Sequence, residues 1–250
     1  YMNITLLMII IAAAILGGLK NTSAETEIEV GSKKFTESII LGEICTQLLS
    51  SNEIPAFHKK ELGGTRILWN ALLKGDIDLY VEYTGTLIQE ILSEEEIAKS
   101  EIINYLNELG ISISKPIGFN NTYAIGMLRD KAEQLNIKKI SDLAEHPELK
   151  IGFTNEFMDR ADGWKSLQGA YNLAENRAIG MDHDIAYRGL AEGSVDVIDL
   201  YSTDAEIDYY NIKVLEDDRD HFKDYHAVIL YRKDIKQKYD QTEKILLKLE

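Results

Sequence analysis

The sequence predicts an α/β protein of two similar lobes with a cleft between them. Three observations predict it. Beyond residue 24, short strand-like apolar runs alternate with helical ones. A strand running into a glycine and a loop occurs twice, at Ile28-Glu29-Val30-Gly31 and at Leu149-Lys150-Ile151-Gly152. The segment Leu72-Leu73-Lys74-Gly75-Asp76-Ile77-Asp78-Leu79 is echoed by Leu190-Ala191-Glu192-Gly193-Ser194-Val195-Asp196-Val197. Both read as a helix closed by glycine and then a strand whose Asp faces out. The two pairs are separated by nearly the same length of chain, as a tandem repeat of one unit requires.

The chain opens on an apolar run from Ile4 to Leu19, short for a bilayer span and long for a signal-peptide core. Small residues at 22–24 offer a cleavage site after Ala24, but no Lys or Arg precedes the run and no cysteine follows it as a lipid anchor would need. Either reading of residues 1–24, signal peptide or membrane anchor, places the remainder outside the cytoplasmic membrane. The strand Glu27–Gly31 comes next. The helix after it carries Ile39, Ile40, Ile44, Leu48 and Leu49 at spacings of three and four, which predicts one apolar face. Arg66–Leu73 reads as a helix stopped by Gly75, and Ile77–Val81 as a strand. Leu87–Leu109 reads as one long helix, acidic early at Glu94-Glu95-Glu96 and closed by Gly110. The prolines, Pro55, Pro116 and Pro147, fall in loops. The chain stops inside an amphipathic helix at Leu246–Glu250, and with Tyr1 ahead of Met2 this fits a fragment or a fusion.

Forty-two acids against 27 bases give a net charge of −15, a field that repels nucleic acid, and no basic patch offsets it. The single cysteine, Cys45, excludes intramolecular disulfides and a cysteine-based zinc site. It stands in an apolar helical stretch and reads as a buried thiol.

Six motifs then occur in order. They are Glu29-Val30-Gly31-Ser32-Lys33-Lys34-Phe35-Thr36-Glu37-Ser38; Gly63-Gly64-Thr65-Arg66; the run from Gly75 through Glu82-Tyr83-Thr84-Gly85-Thr86; Gly118-Phe119-Asn120-Asn121-Thr122-Tyr123; Gly152–Trp164, which holds Asp159-Arg160-Ala161-Asp162-Gly163; and Val195–Ala205, which holds Leu200-Tyr201-Ser202-Thr203-Asp204. From about Ile28 to Glu250 the chain resembles the substrate-binding components of ABC importers for quaternary ammonium compounds, the glycine betaine, carnitine and choline binding proteins. The resemblance implies a type II periplasmic-binding-protein fold that closes on its ligand by a hinge. Lobe 1 would comprise residues 25–118 and 223–250, and lobe 2 residues 119–222. It implies a tyrosine cage of Tyr83, Tyr123, Tyr201 and Tyr225, and a carboxylate clamp of Lys33, Thr86 and Arg160. Ser38 stands where members often carry a polar amide. The implied partners are a quaternary ammonium ligand and an ABC permease with its ATPase, the permease in some members fused to the binding domain; no cofactor or metal is expected.

The chemistry asks for such residues. A trimethylammonium group has a permanent charge and no N–H, so only ring faces and apolar walls can recognise it without inviting Na⁺ or K⁺. Four desolvated rings could supply on the order of 4–8 kcal/mol, against the roughly 8 kcal/mol of micromolar binding. The cage alone is marginal. Lys33 and Arg160 would add charge-assisted hydrogen bonds to a ligand carboxylate. Choline, lacking one, would strand two buried cations, which favours a betaine; choline, carnitine and ergothioneine remain alternatives. The space beyond the cage depends on loops such as Gly63–Arg66. Without the motifs, Lys33 would read as a solvated loop lysine, Arg160 as a partner of Asp159 or Asp162, and Trp164, Tyr171, Tyr187, Tyr209 and Tyr210 as packing. No P-loop, zinc spacing or Gly-x-Ser-x-Gly elbow is present. The rival class, an extracytoplasmic hydrolase, lacks a nucleophile–base pair. Asp182-His183-Asp184 projects its side chains in different directions, Asp76 and Asp78 could share a strand face as a cation site, and His226 could line the cleft mouth.

Overall fold

The computed structural model describes residues 27–93, 97–173 and 177–250. The segment read as signal or anchor, and Glu94–Glu96, lie outside the described residues. No helix among the described residues is long and apolar enough to cross a membrane.

Ten strands form two five-stranded sheets: β1 (Ile28–Lys33), β2 (Ala56–Gly63), β3 (Leu79–Tyr83), β4 (Ile111–Ile113), β5 (Tyr123–Leu128), β6 (Ile151–Thr154), β7 (Ala178–Met181), β8 (Val197–Tyr201), β9 (Ile212–Val214) and β10 (Ala227–Arg232). The first sheet runs β2-β1-β3-β10-β4 and the second β7-β6-β8-β5-β9. In each, three neighbouring strands run parallel, the next (β10 or β5) runs against them, and the edge strand (β4 or β9) pairs antiparallel with that one. The order is the same once β1 is matched to β6, β2 to β7, β3 to β8, β10 to β5 and β4 to β9. The repeat read from the sequence is therefore the repeat of the two lobes.

Its aspartates do the same work in both, and they do not face out. Asp78 is buried; its Oδ2 accepts from the Glu29 amide at 2.7 Å and meets the Lys238 Nζ at 2.7 Å. Asp196 accepts from the Lys150 amide at 2.9 Å and meets Lys131 Nζ at 2.5 Å. Each backbone N–H of the pair also returns a bond to the carbonyl opposite, at 2.7 Å in both lobes. The carboxylate thus ties the start of the central strand to its neighbour, and a lysine neutralises it. The cation site considered for Asp78 is taken by Lys238. Gly75 and Gly193 close the preceding helices with φ of 81° and 74°, the left-handed region that glycine enters without steric cost.

Three elements differ from their sequence reading. The Thr36–Ser50 helix buries Ser38, Gly42, Cys45 and Leu49, while Ile40 and Ile44 are 53% and 43% exposed. Small residues face the sheet because the His58 ring lies there: a Cβ on Gly42 would sit 2.3 Å from its Nε2. β3 starts two residues later than expected. The long helix expected over Leu87–Leu109 is broken into a wide turn at Leu87–Ile91 and a separate helix at Ile102–Glu108. Arg66 explains the break, since its guanidinium takes the Glu90 and Ile91 carbonyls that a continuing helix would have bonded.

Two segments join the lobes, and they pair with each other. The Asn121 amide donates to the Tyr225 carbonyl at 3.0 Å, and the Tyr225 amide to Asn120 Oδ1 at 2.6 Å. This narrow double connection is where one lobe can rotate against the other.

Candidate functional site

The parallel strands of both sheets deliver their C-terminal ends to one cleft, the place where open α/β sheets bind ligands. Lys33 ends β1, Tyr83 ends β3, and Thr86 sits in the turn after it. From the other lobe, Tyr123 begins β5, Arg160 follows the Asn155–Asp159 helix behind β6, and Tyr201 ends β8. Tyr225 lies on the second connecting segment. The structure brings all seven sequence-derived residues to the wall of one cavity, and Phe35, Asn121 and Glu156 complete it. Those last three lie inside the quoted motifs, but nothing in the sequence says that their side chains turn inward.

The rings form a chain. Phe35 lies 6.3 Å from Tyr83 and 4.7 Å from Tyr201, Tyr201 lies 5.0 Å from Tyr123, and Tyr123 meets Tyr225 edge-on at 6.1 Å. They pack on one another closely enough to leave only about 10 Å³ between them, about one water's worth. Admitting a ligand therefore requires the rings to part. Burial pushes all four tyrosine hydroxyls above their ordinary range, so the rings stay neutral. Tyr83 donates to Glu37, and Tyr225 to Asp162. Gly85 makes room for the Tyr225 ring: a Cβ there would sit 2.6 Å from two ring carbons. Gly85→Ala should displace that ring, weaken ligand binding about tenfold, read by titration calorimetry, and lower the melting temperature by a few degrees.

The cations are not free. Lys33 Nζ bonds Glu82 Oε1 at 2.7 Å and Thr65 Oγ1 at 3.0 Å, in a pair almost wholly buried. The Arg160 guanidinium makes two 2.7 Å bonds to Asp162, lies 5.1 Å over the Tyr123 ring, and reaches Thr86 Oγ1 at 3.5 Å. Arg160 thus both pairs with Asp162 and lines the cavity. The expectation that choline would strand two unpaired cations does not hold, because each has a resident carboxylate. Ser38 does not face the cavity; its Oγ accepts from the Lys33 amide at 2.8 Å and fixes the turn that carries that lysine. The Gly63–Arg66 loop reaches the site through Thr65.

Acids also cross the cleft. Glu37 of lobe 1 accepts from Asn121 Nδ2 at 2.8 Å and from Thr203 Oγ1 of lobe 2 at 2.5 Å. Glu156 of lobe 2 accepts from Thr65 Oγ1 at 2.6 Å. Glu90 of lobe 1 accepts from the Ala161 amide at 3.0 Å. All four bonds require the lobes to be together.

Behind the rings, His183 lies tilted against Tyr201 at 4.8 Å, and its Nε2 meets Asp204 Oδ2 at 3.0 Å. Below it, burial pushes the Asp199 carboxyl up to about 6, although Thr154 gives it two hydrogen bonds. A raised carboxyl costs stability once ionised: below about pH 4 there is no cost, and above about pH 6 the folded protein bears all of it. Asp199→Asn should therefore raise the melting temperature at pH 8 by several degrees and lose that advantage by pH 4. Trp164, Tyr171 and Tyr187 pack in cores away from the cavity, Tyr209 is exposed, and His226 does not line the cavity. A second, open depression of about 480 Å³ on lobe 1, lined by Glu29, Lys59, Asp76 and Lys238, carries none of the seven sequence-derived site residues.

Comparison with known proteins places this geometry. Residues 26–250 match the family described as the substrate binding domain of ABC-type glycine betaine transport systems. The whole chain is 33% identical to the ergothioneine transport permease/ergothioneine binding protein EgtU of Helicobacter pylori strain G27, of which it spans 46%. It is 31% identical over 94% of its length to the carnitine transport binding protein OpuCC of Listeria monocytogenes, covering 79% of that protein. Among solved structures, a glycine betaine/carnitine/choline ABC transporter protein superposes with a TM-score of 0.67 at 26% identity, over 89% of this chain and 86% of that one. Lactococcal OpuAC, closed on glycine betaine, shares the fold at a TM-score of 0.69 and 13% identity, over 89% and 84%. Two sheets of one topology, a cleft between them and a match across nine-tenths of the sequence lead to one conclusion: this chain belongs to the substrate-binding domains of ABC-type glycine betaine transport systems, with a type II periplasmic-binding-protein fold.

Proposed function

We propose that the chain captures a betaine, a trimethylammonium compound with a carboxylate, between its lobes outside the cytoplasmic membrane and hands it to an ABC permease. The observation that carries this reading is the convergence of Phe35, Tyr83, Tyr123, Tyr201 and Tyr225 with Arg160 and Thr86 on one cavity fed by both lobes. The rings would enclose the ammonium group. Arg160 and Thr86, one from each lobe, would share the carboxylate, so binding and closure would proceed together. Family membership supports the transport role, and the relative in which the matching region is about half of a permease chain supports fusion as one route of delivery. Nothing in the geometry calls for catalysis. Choline is the second reading, favoured by the fact that Lys33 and Arg160 already have carboxylate partners.

The test is titration calorimetry of the purified protein with glycine betaine, carnitine, choline and ergothioneine in turn. Binding of a betaine but not choline supports the reading. Binding of choline alone keeps the cage and removes the carboxylate contact. Silence from all four in a folded sample rejects the betaine reading.

A further inference from the structure

Glu156 is the cavity-lining acid that neither the tyrosine cage nor the carboxylate contact uses. It sits in the first turn of the Asn155–Asp159 helix, at the point where lobe 2 meets the Gly64-Thr65 turn of lobe 1. Its Oε1 accepts from Thr65 Oγ1 at 2.6 Å and from the Thr65 amide at 3.3 Å, and Arg160 Nη1 stands 3.8 Å from the same oxygen. The carboxylate lies against Gly64, where a Cβ would meet it in ordinary van der Waals contact at 3.4 Å. Among the described residues, the hydrogen bonds that reach Glu156 fall on Oε1, so Oε2 has acceptor capacity to spare.

The acid is also ionised. Burial alone would raise its carboxyl, but the charges of Lys33 and Arg160 and the Thr65 hydrogen bonds outweigh burial and hold it below the ordinary carboxylate range. Those two cations are engaged more closely elsewhere, Lys33 with Glu82 and Arg160 with Asp162, each at 2.7 Å. Glu156 therefore presents a negative charge to the ligand space without a dedicated counter-ion.

We infer that Glu156 is a specificity-determining residue: it accepts a hydrogen bond from an N–H or O–H group of the ligand and so selects betaines that carry such a donor over glycine betaine. The inference rests on the betaine reading of the cleft. Glycine betaine has methyl groups at one end and a carboxylate at the other. Bound beside Glu156, it would take water from Oε2 without replacing the lost bond, and its own carboxylate would meet a like charge. A hydroxyl, as in carnitine, or a ring N–H, as in ergothioneine, supplies the missing donor.

Titration calorimetry of the wild type, Glu156→Gln and Glu156→Ala with glycine betaine, carnitine and ergothioneine tests this. The wild type should hold at least one donor-bearing betaine about tenfold or more tighter than glycine betaine. Either substitution should bring that ratio to about threefold or below. A Thr65→Ala variant, which cuts the bridge between the lobes but leaves the acid, should weaken every ligand alike and keep the ratio. If the Glu156 variants weaken all three ligands in parallel, the residue only bridges the lobes, and the inference fails while the betaine reading stands. Glycine betaine binding to the wild type at least as tightly as both others also overturns it. A folded wild type that binds none of the three removes the betaine reading and this inference with it.

Discussion

Arg160→Met should lower the affinity for a betaine by at least about a hundredfold, since truncating one partner of a buried, hydrogen-bonded charge pair costs about 2–5 kcal/mol. Three contacts go at once: the charge facing Thr86, the guanidinium plane over Tyr123 and the two bonds that hold Asp162. The substitution also leaves Asp162 without its cation in a mostly buried position, so the melting temperature should fall. The double variant Arg160→Met, Asp162→Leu separates the two effects. Removing both charges should recover much of the stability, as replacing a buried pair by apolar groups often does, yet leave binding as weak as in the single variant. Calorimetric titration beside thermal melts reads both. Recovery of binding to within about threefold in the double variant would reduce Arg160 to the partner of Asp162.

Tyr123→Leu and Tyr201→Leu should each weaken binding about tenfold or more, and Tyr123→Phe and Tyr201→Phe far less. Leucine keeps an apolar side chain and removes the ring face. Phenylalanine keeps the face and removes only the hydroxyl. The two tyrosines sit at the middle of the ring chain, 5.0 Å apart, and Tyr123 also touches Phe157, Phe222 and Tyr225. Alanine at either position would open a cavity costing about 3–5 kcal/mol and confuse a lost contact with a loosened core. Leucine limits that loss. Equal affinity in the leucine and phenylalanine variants would show that the cleft recognises its ligand by shape and apolar contact and not by the rings.

The parts of this molecule that sequence reasoning reached are those that repeat or that come in fixed motifs. The helix–glycine–strand segments around Gly75 and Gly193 announced two lobes because the same backbone turn needs the same residue twice. The tyrosines came with motifs of a family resemblance, and the fold brings their rings to one cavity. Side-chain direction was the blind spot. Phe35, Asn121 and Glu156 stood inside the motifs, with nothing in the sequence to say that their side chains turn inward. The Thr36–Ser50 helix misled because its buried stripe is Ser38-Gly42-Cys45, chosen by the bulk of His58 opposite and not by apolarity. The break after Ile91 was hidden because its cause, Arg66, lies far upstream and acts through space. The partner of Lys33 was missed for the same reason. Glu82 lies far along the chain from Lys33, while Asp162, considered for Arg160 as a substitute for ligand contact, accompanies it.

The interleaving of the sheets has a consequence for the order in which the polypeptide matures. The second sheet is assembled from one uninterrupted stretch, β5 to β9, residues 123–214. The first waits for β10, a strand between β3 and β4 that is reached only at residues 227–232, and for the Lys238 that neutralises Asp78. As the chain emerges from its N-terminus, the later-encoded lobe can close its hydrogen-bonded ladder first. The earlier-encoded one remains an open-edged half-sheet until residues 227–232 have been made. Exposed edges of that kind are what chaperones hold and what aggregation exploits. Truncations before residue 227 should therefore leave lobe 2 protected from limited proteolysis and lobe 1 digested, whereas chains reaching residue 250 should resist throughout.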